Sequence, residues 1–229
     1  MSQTVKFPRF VILTGNYGSG KTELALNLAM EAASMGKRTT LVDLDIVNPY
    51  FRSGEKADEM RAAGIRVLMP TFALTTVDIP ALPAEIQSVF ETPGDQVIFD
   101  VGGDDTGAAA LGRYAPGFAR YREETETLLV VNCMRPLTGT EEDILDLAQR
   151  ISARGRQRID TIVNNTNLAN RTEPEMVEDG EKKAMACGEK IGVKRVVTAG
   201  MPEVLAECTL RTPVIPLRRY MVPEWMEEA

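Results

Sequence analysis

Residues 15–22 read GNYGSGKT, between the apolar run RFVILT (9–14) and the helix-like stretch ELALNLAMEAASMG (23–36). The octet fits G-x-x-x-x-G-K-[ST], a phosphate-binding loop when a strand precedes it and a helix follows, and both flanks are in place. Gly15, Gly18 and Gly20 let the backbone curl so that successive N–H groups point inward at the head of the helix, where the helix dipole favours an anion. Asn16 and Ser19 complete the loop. Lys21 is expected to reach the β- and γ-phosphates of a nucleotide, and the Thr22 hydroxyl to ligate Mg2+.

Outward from the loop, apolar runs rich in β-branched residues alternate with helical periodicity. That is the pattern of a largely parallel sheet covered on both faces. Strands are expected near 9–15, 38–43, 65–69, 95–101, 126–133, 158–164 and 193–198, about seven in all. Helices are expected near 20–35, 54–63, 83–91, 105–120, 140–154 and 173–190. Thr140 with Asp143 has the form of a capping box before EEDILDLAQRIS. The expectation is an α/β, three-layer P-loop nucleoside-triphosphatase fold, with residues 1–229 forming one nucleotide-binding domain. The segments 69–83 and 211–225 are the least regular and read as surface loops or partner contacts.

Composition narrows the chemistry. The 229 residues include no histidine, which excludes Ser-His-Asp and Cys-His catalysis and the usual zinc sites. Three widely spaced cysteines, Cys133, Cys187 and Cys208, offer no C-x-x-C pair and read as reduced thiols. No apolar run approaches the length of a membrane span, and the first ten residues lack a secretory pattern, so a cytoplasmic protein is expected. A net charge of -7 disfavours a nucleic-acid partner. The arginines of QRISARGRQR (149–158) fall at an expected helix end, where cations complement the dipole. The proline-broken tail, ending EWMEEA, makes a poor membrane anchor.

A phosphate loop needs a carboxylate on the far side of its metal, at the end of a neighbouring strand. QVIFDVGG (96–103) supplies Asp100, and Gly103 follows at a spacing that brings a backbone N–H near the γ-phosphate. Val101 follows Asp100 directly, so the Asp-Glu pair with which some ATPases activate water is absent. LVDLD (41–45) adds Asp43 and Asp45, two apart at a strand end and therefore on one face, from which both approach the Mg–phosphate cluster.

GNYGSGKT, LVDLD, VIFDVGG and IVNN, in this order, resemble the MinD/ParA/NifH-type P-loop ATPases of the CobQ/CobB/MinD/ParA nucleotide-binding fold, over about residues 9–205. The resemblance implies ATP and Mg2+ as cofactors. It implies that Asp45 positions the attacking water, that Asp100 to Gly103 form the second switch, that Asn164 or Asn165 reads the adenine edge, and that the segment of Pro202 (GMPEV, 200–204) closes over the base. Many members carry a second lysine in the loop, used across a nucleotide-sandwich dimer. Here that position is Asn16, so turnover is expected to be slow unless another cation substitutes, with Arg52 the candidate.

The expected function is a Mg-dependent ATPase whose switch segments, 45–54 and 100–107, respond to the γ-phosphate and act on a client protein, with a nucleotide-dependent homodimer possible. The alternative is an ATP-dependent small-molecule kinase or amidating synthetase of the same fold, its substrate pocket near Asp45 and Asp78. The resemblance implies adenine over guanine, and no N-K-x-D guanine signature follows Asn164.

Overall fold

The computed structural model describes residues 5–45, 55–69, 84–103 and 105–221. Eight strands form one sheet: β1 (Phe10–Thr14), β2 (Thr39–Leu44), β3 (Arg66–Leu68), β4 (Gln96–Val101), β5 (Thr125–Val131), β6 (Thr161–Asn164), β7 (Arg195–Gly200) and β8 (Val214–Pro216). Their order is β3-β2-β4-β1-β5-β6-β7-β8, and every pairing is parallel. The helices are α1 (Lys21–Ser34), α2 (Glu55–Ala62), α3 (Ala84–Glu91), α4 (Asp105–Arg113), α5 (Ala115–Arg120), α6 (Glu141–Gly155), α7 (Pro174–Ile191) and α8 (Pro202–Leu205).

The period-two alternation of the strands sorts their side chains into separate cores. Val11 and Leu13 of β1, with Leu128 and Val130 of β5, pack under Leu24 and Leu28 of α1. Phe10 and Ile12 face the other way, into an aromatic cluster with Phe90, Phe99 and Phe118. Leu129, Val131 and Ile162 meet α6 and α7 through Ile144, Leu147, Ala184 and Cys187. Each central strand is buried on both faces, which is why its sequence reads as a continuous apolar run. The capping box at α6 forms as the spacing predicts, with Thr140 Oγ1 accepting from the Asp143 N–H.

Several elements depart from the sequence expectation. Residues 105–120 form two helices: Pro116 brings no N–H and crowds the carbonyl four residues back, so α4 stops and α5 restarts at Ala115. Strand β6 begins at Thr161 instead of residue 158. The tail contributes an eighth strand, with Thr198–Gly200 pairing Val214–Pro216. Pro216 is tolerated there because β8 is an edge strand and one face of its ladder is unused. Beyond β8, Asn27 of α1 exchanges hydrogen bonds with the Arg218 backbone, and Glu23 accepts from the Tyr220 and Met221 N–H groups. The polar face of α1 thereby holds the chain that follows β8.

Among the described residues no helix is long and apolar enough to cross a membrane.

Candidate nucleotide-binding site

Parallel strands all present their C-terminal ends on one side of the sheet, and in such sheets the ligand crevice lies there. Strand β1 ends at Thr14 with β4 and β5 as neighbours, so residues 15–20 emerge between the ends of β4 and β5. Helix α1 opens on Gly20 at φ 86°, a left-handed backbone that costs glycine nothing, and no side chain caps it. The contrast with the boxed start of α6 is instructive. At α1 the first-turn N–H groups are left to something other than a side chain, which is the arrangement that binds anions. Ser19 Oγ is buried in the same loop with no hydrogen-bond partner among the described residues. Lys21 is largely buried, and its Nζ donates to the Asn16 carbonyl at 2.9 Å. The Asn16 side chain accepts from the Tyr17 N–H at 2.8 Å, which tightens the turn.

The metal corner lies on the β4 side. Thr22 Oγ1 donates to Asp100 Oδ2 at 2.6 Å, while Asp100 Oδ1 is buried and without a hydrogen-bond partner among the described residues. Burial pushes the Asp100 carboxyl up to about 6. Lys21 and the Thr22 hydroxyl pull it back down, and Asp45 pushes it further up. A buried carboxylate oxygen that lacks a donor, next to a threonine hydroxyl, fits a hard divalent cation. No group of three or more Cys, Asp or Glu side chains is placed to hold a metal by itself among the described residues.

Asp43 and Asp100 face each other across β2 and β4, and Asp43 Oδ1 accepts from the Asp45 N–H at 2.9 Å. Asp45 lies against Gly102, where a Cβ would come within 3.3 Å of the Asp45 carboxyl. Gly103 presses on the loop itself, since a Cβ there would stand 2.5 Å from the Tyr17 nitrogen. The ends of β2 and β4 and the phosphate loop are thus in direct contact.

The raised Asp100 value carries a sign. Between its ordinary 3.8 and about 6 the folded protein binds the proton more tightly than the unfolded chain does, so stability falls as pH rises through that window. Above about 6 the ionised carboxylate is a net cost of up to about 3 kcal/mol. Asp100→Asn is therefore expected to raise the melting temperature of the ligand-free protein at pH 7, to give no gain at pH 4, and to remove Mg2+-dependent tightening of nucleotide binding. Thermal unfolding at the two pH values checks the first two, and calorimetry the third.

On the β6 side the structure separates two adjacent asparagines. Asn164 is fully buried; its Nδ2 donates to the Val177 carbonyl and to Thr198, and its Oδ1 accepts from Thr166. Strand alternation turns it towards α7. Asn165 turns the other way, and its Nδ2 donates to the Ser19 carbonyl at 2.8 Å. A Cβ on Gly20 would collide with that same amide. Pro202 opens the short helix α8 and is exposed.

Two contacts escaped the sequence reading. Arg135, in the turn after β5, donates from Nε to the Gly18 carbonyl at 3.3 Å. Asn132, fully buried, ties that turn to the one after β6 by accepting from the Asn167 N–H and donating to its carbonyl. The available signal was positional: NCMRP (132–136) follows a strand that pairs with β1. Arg52, Asp78 and residues 46–54 and 104 of the expected switches lie outside the described residues.

No protein-family model matches the chain, and no curated protein matches it. Solved structures do. The cell division protein FtsY from Thermotoga maritima is 19% identical with a TM-score of 0.54, over 86% of this chain and 64% of that one. Signal Recognition Particle 54 kDa protein from Aeropyrum pernix, in complex with GDP, is 22% identical with a TM-score of 0.53, over 86% of this chain and 43% of that one. FlhF complexed with GMPPNP/Mg(2+) is 15% identical with a TM-score of 0.51, over 86% and 68%. The chain spans less than two thirds of the length of the first two. At these identities the likeness establishes the P-loop α/β fold, with eight strands where seven were expected. None of these three is named as a MinD or ParA protein, so the narrower MinD/ParA likeness rests on the sequence motifs alone.

Proposed function

We propose that the protein is a Mg2+-dependent ATP-binding NTP hydrolase of slow turnover, whose segments after β2 and β4 respond to the γ-phosphate and act on a partner protein. One observation carries this reading. The uncapped start of α1 sits beside Lys21 and a Thr22–Asp100 pair whose second carboxylate oxygen is buried without a donor among the described residues. The inward N–H groups of residues 15–20 and Lys21 would hold the phosphates, and Thr22 and Asp100 the metal, with Asp43 behind them. Mg2+ would supply charge neutralisation at the β- and γ-oxygens. Asp45, against Gly102, is the residue we assign to orienting water, and the Gly103 N–H the one facing the terminal phosphate.

Slow turnover follows from two features. Val101 occupies the position after Asp100 and is buried in the core, so it offers no general base. Asn16 brings no charge to the loop. Contact with a client at this end of the sheet fits the exposed apolar side chains there: Tyr17 in the loop, and Met134 and Leu137 in the turn that touches it.

ATP is our reading of the base. Guanine presents N–H donors that a carboxylate accepts, and the run Asn164–Asn167 contains none. The GDP and GMPPNP bound in two of the similar structures make GTP the competitor to test. Calorimetry with ATP and GTP, with and without Mg2+, is expected to show ATP binding that tightens with the metal and exceeds GTP binding. Asp45→Ala is expected to keep that binding and lose turnover. Silence with every triphosphate would overturn the nucleotide reading, preference for GTP the adenine assignment, and equal loss of binding and turnover the role of Asp45.

A further inference from the structure

We propose that Arg135 is a second phosphate-contacting cation, acting within the same chain on the terminal phosphate of the bound triphosphate; the inference rests on the nucleotide reading above. A triphosphate that meets one Mg2+ and one lysine still carries excess negative charge, and enzymes of this fold place a further cation against it as the charge shifts. Arg135 is the described side chain outside the loop whose guanidinium touches the loop's rim. Its Nε holds the Gly18 carbonyl, and a Cβ on Gly18 would stand only 3.3 Å from that Nε and 3.7 Å from Cζ. The contact exists because residue 18 is glycine.

The guanidinium is presented by a fixed backbone. The Arg135 N–H donates to the Asn132 carbonyl at 3.0 Å and its own carbonyl accepts from the Thr138 N–H at 3.0 Å. Asn132 Oδ1 accepts from the Met134 N–H, and the buried Thr138 hydroxyl donates to the Asn132 carbonyl. A turn held this firmly offers an arginine whose backbone ordering is complete before any ligand arrives.

Arg38, Arg61, Arg122, Arg150 and Arg195 each meet a carboxylate, at 2.8 to 3.4 Å. Among the described residues Arg135 meets none, and with Nε on Gly18 its two terminal amino groups remain for an anion. An exposed arginine whose Nε rests on the rim of a phosphate loop is suited to bidentate phosphate contact, which a lysine at the same place would not reproduce.

The test measures ATP and ADP affinities of the full chain with Mg2+, for wild type, Arg135→Ala, Arg135→Gln and Arg135→Lys, each first shown to melt as the wild type does. Arg135→Ala is expected to weaken ATP at least about tenfold and ADP less than about threefold. Arg135→Gln keeps a donor for the Gly18 carbonyl but no charge, and should behave like Arg135→Ala; Arg135→Lys should recover part of the ATP affinity. Equal losses for ATP and ADP would reduce Arg135 to a brace for the loop and overturn the proposal. So would a Gln variant indistinguishable from wild type, or an Ala variant that binds ATP normally. A wild type that binds neither nucleotide would instead defeat the site itself.

Discussion

Lys21→Ala is expected to abolish measurable ATP·Mg binding, a loss of at least about a hundredfold, while leaving the fold intact. Charge-assisted hydrogen bonds contribute about 1.5–3 kcal/mol each, and a lysine bridging two phosphates makes more than one. A second effect adds to the first. The Lys21 ammonium is the largest influence holding the buried Asp100 carboxyl down against desolvation. Without it Asp100 moves further up and is more often protonated near neutrality, so the metal loses a ligand as the phosphates lose a cation. The two contributions separate by pH. Raising the pH favours the ionised Asp100 but restores no ammonium, so a partial recovery in calorimetry reports the share carried through the carboxylate. Tight binding retained at pH 7 would remove the phosphate-loop reading altogether.

What was legible beforehand follows from how local each feature is. The phosphate loop needs only eight contiguous residues and its flanks, and Asp100 is the acid that closes an apolar run; both emerge from spacing. The capping box of α6 is equally local. The break at Pro116 was readable in principle, because a proline inside a helical pattern forbids continuation. Adjacent residues at a strand end are harder. Asn164 and Asn165 look interchangeable in IVNN, yet alternation sends one under α7 and the other to the Ser19 carbonyl, and which is which depends on where β6 starts. Arg135 needed still more. Its turn lies against the loop only because β5 pairs with β1, 117 residues of sequence separating Arg135 from Gly18, and no local pattern encodes that neighbour. Strand β8 was hidden by its own prolines, which suit an edge and argue against a centre.

Gly15→Ala should be severely damaging for a single added methyl. Gly15 adopts φ 144°, a region that side chains rarely enter, and a Cβ there would collide with the Val130 carbonyl oxygen and stand 3.0 Å from Ser19 Oγ. Ser19 could turn; Val130 could not. It belongs to β5, which is paired on one side to β1 and on the other to β6, so relief means breaking register in the middle of the sheet. A backbone held in such a region costs about 1–3 kcal/mol by itself. The displacement of a central strand comes on top, for an expected loss of at least about 3 kcal/mol of stability. Gly36→Ala supplies the reference. Gly36 has φ 77° but nothing within 4 Å of its would-be Cβ, so that variant reports the conformational term alone, about 1–2 kcal/mol. Urea unfolding of the pair gives, as their difference, the collision together with the less accessible backbone region of Gly15. Nucleotide titration of any folded Gly15→Ala protein should show binding lost as well, because the same displacement opens the curl that gathers the loop's N–H groups. If Gly15→Ala unfolds no more readily than Gly36→Ala and still binds ATP, the tight seat of the loop between β4 and β5 is not what shapes the site.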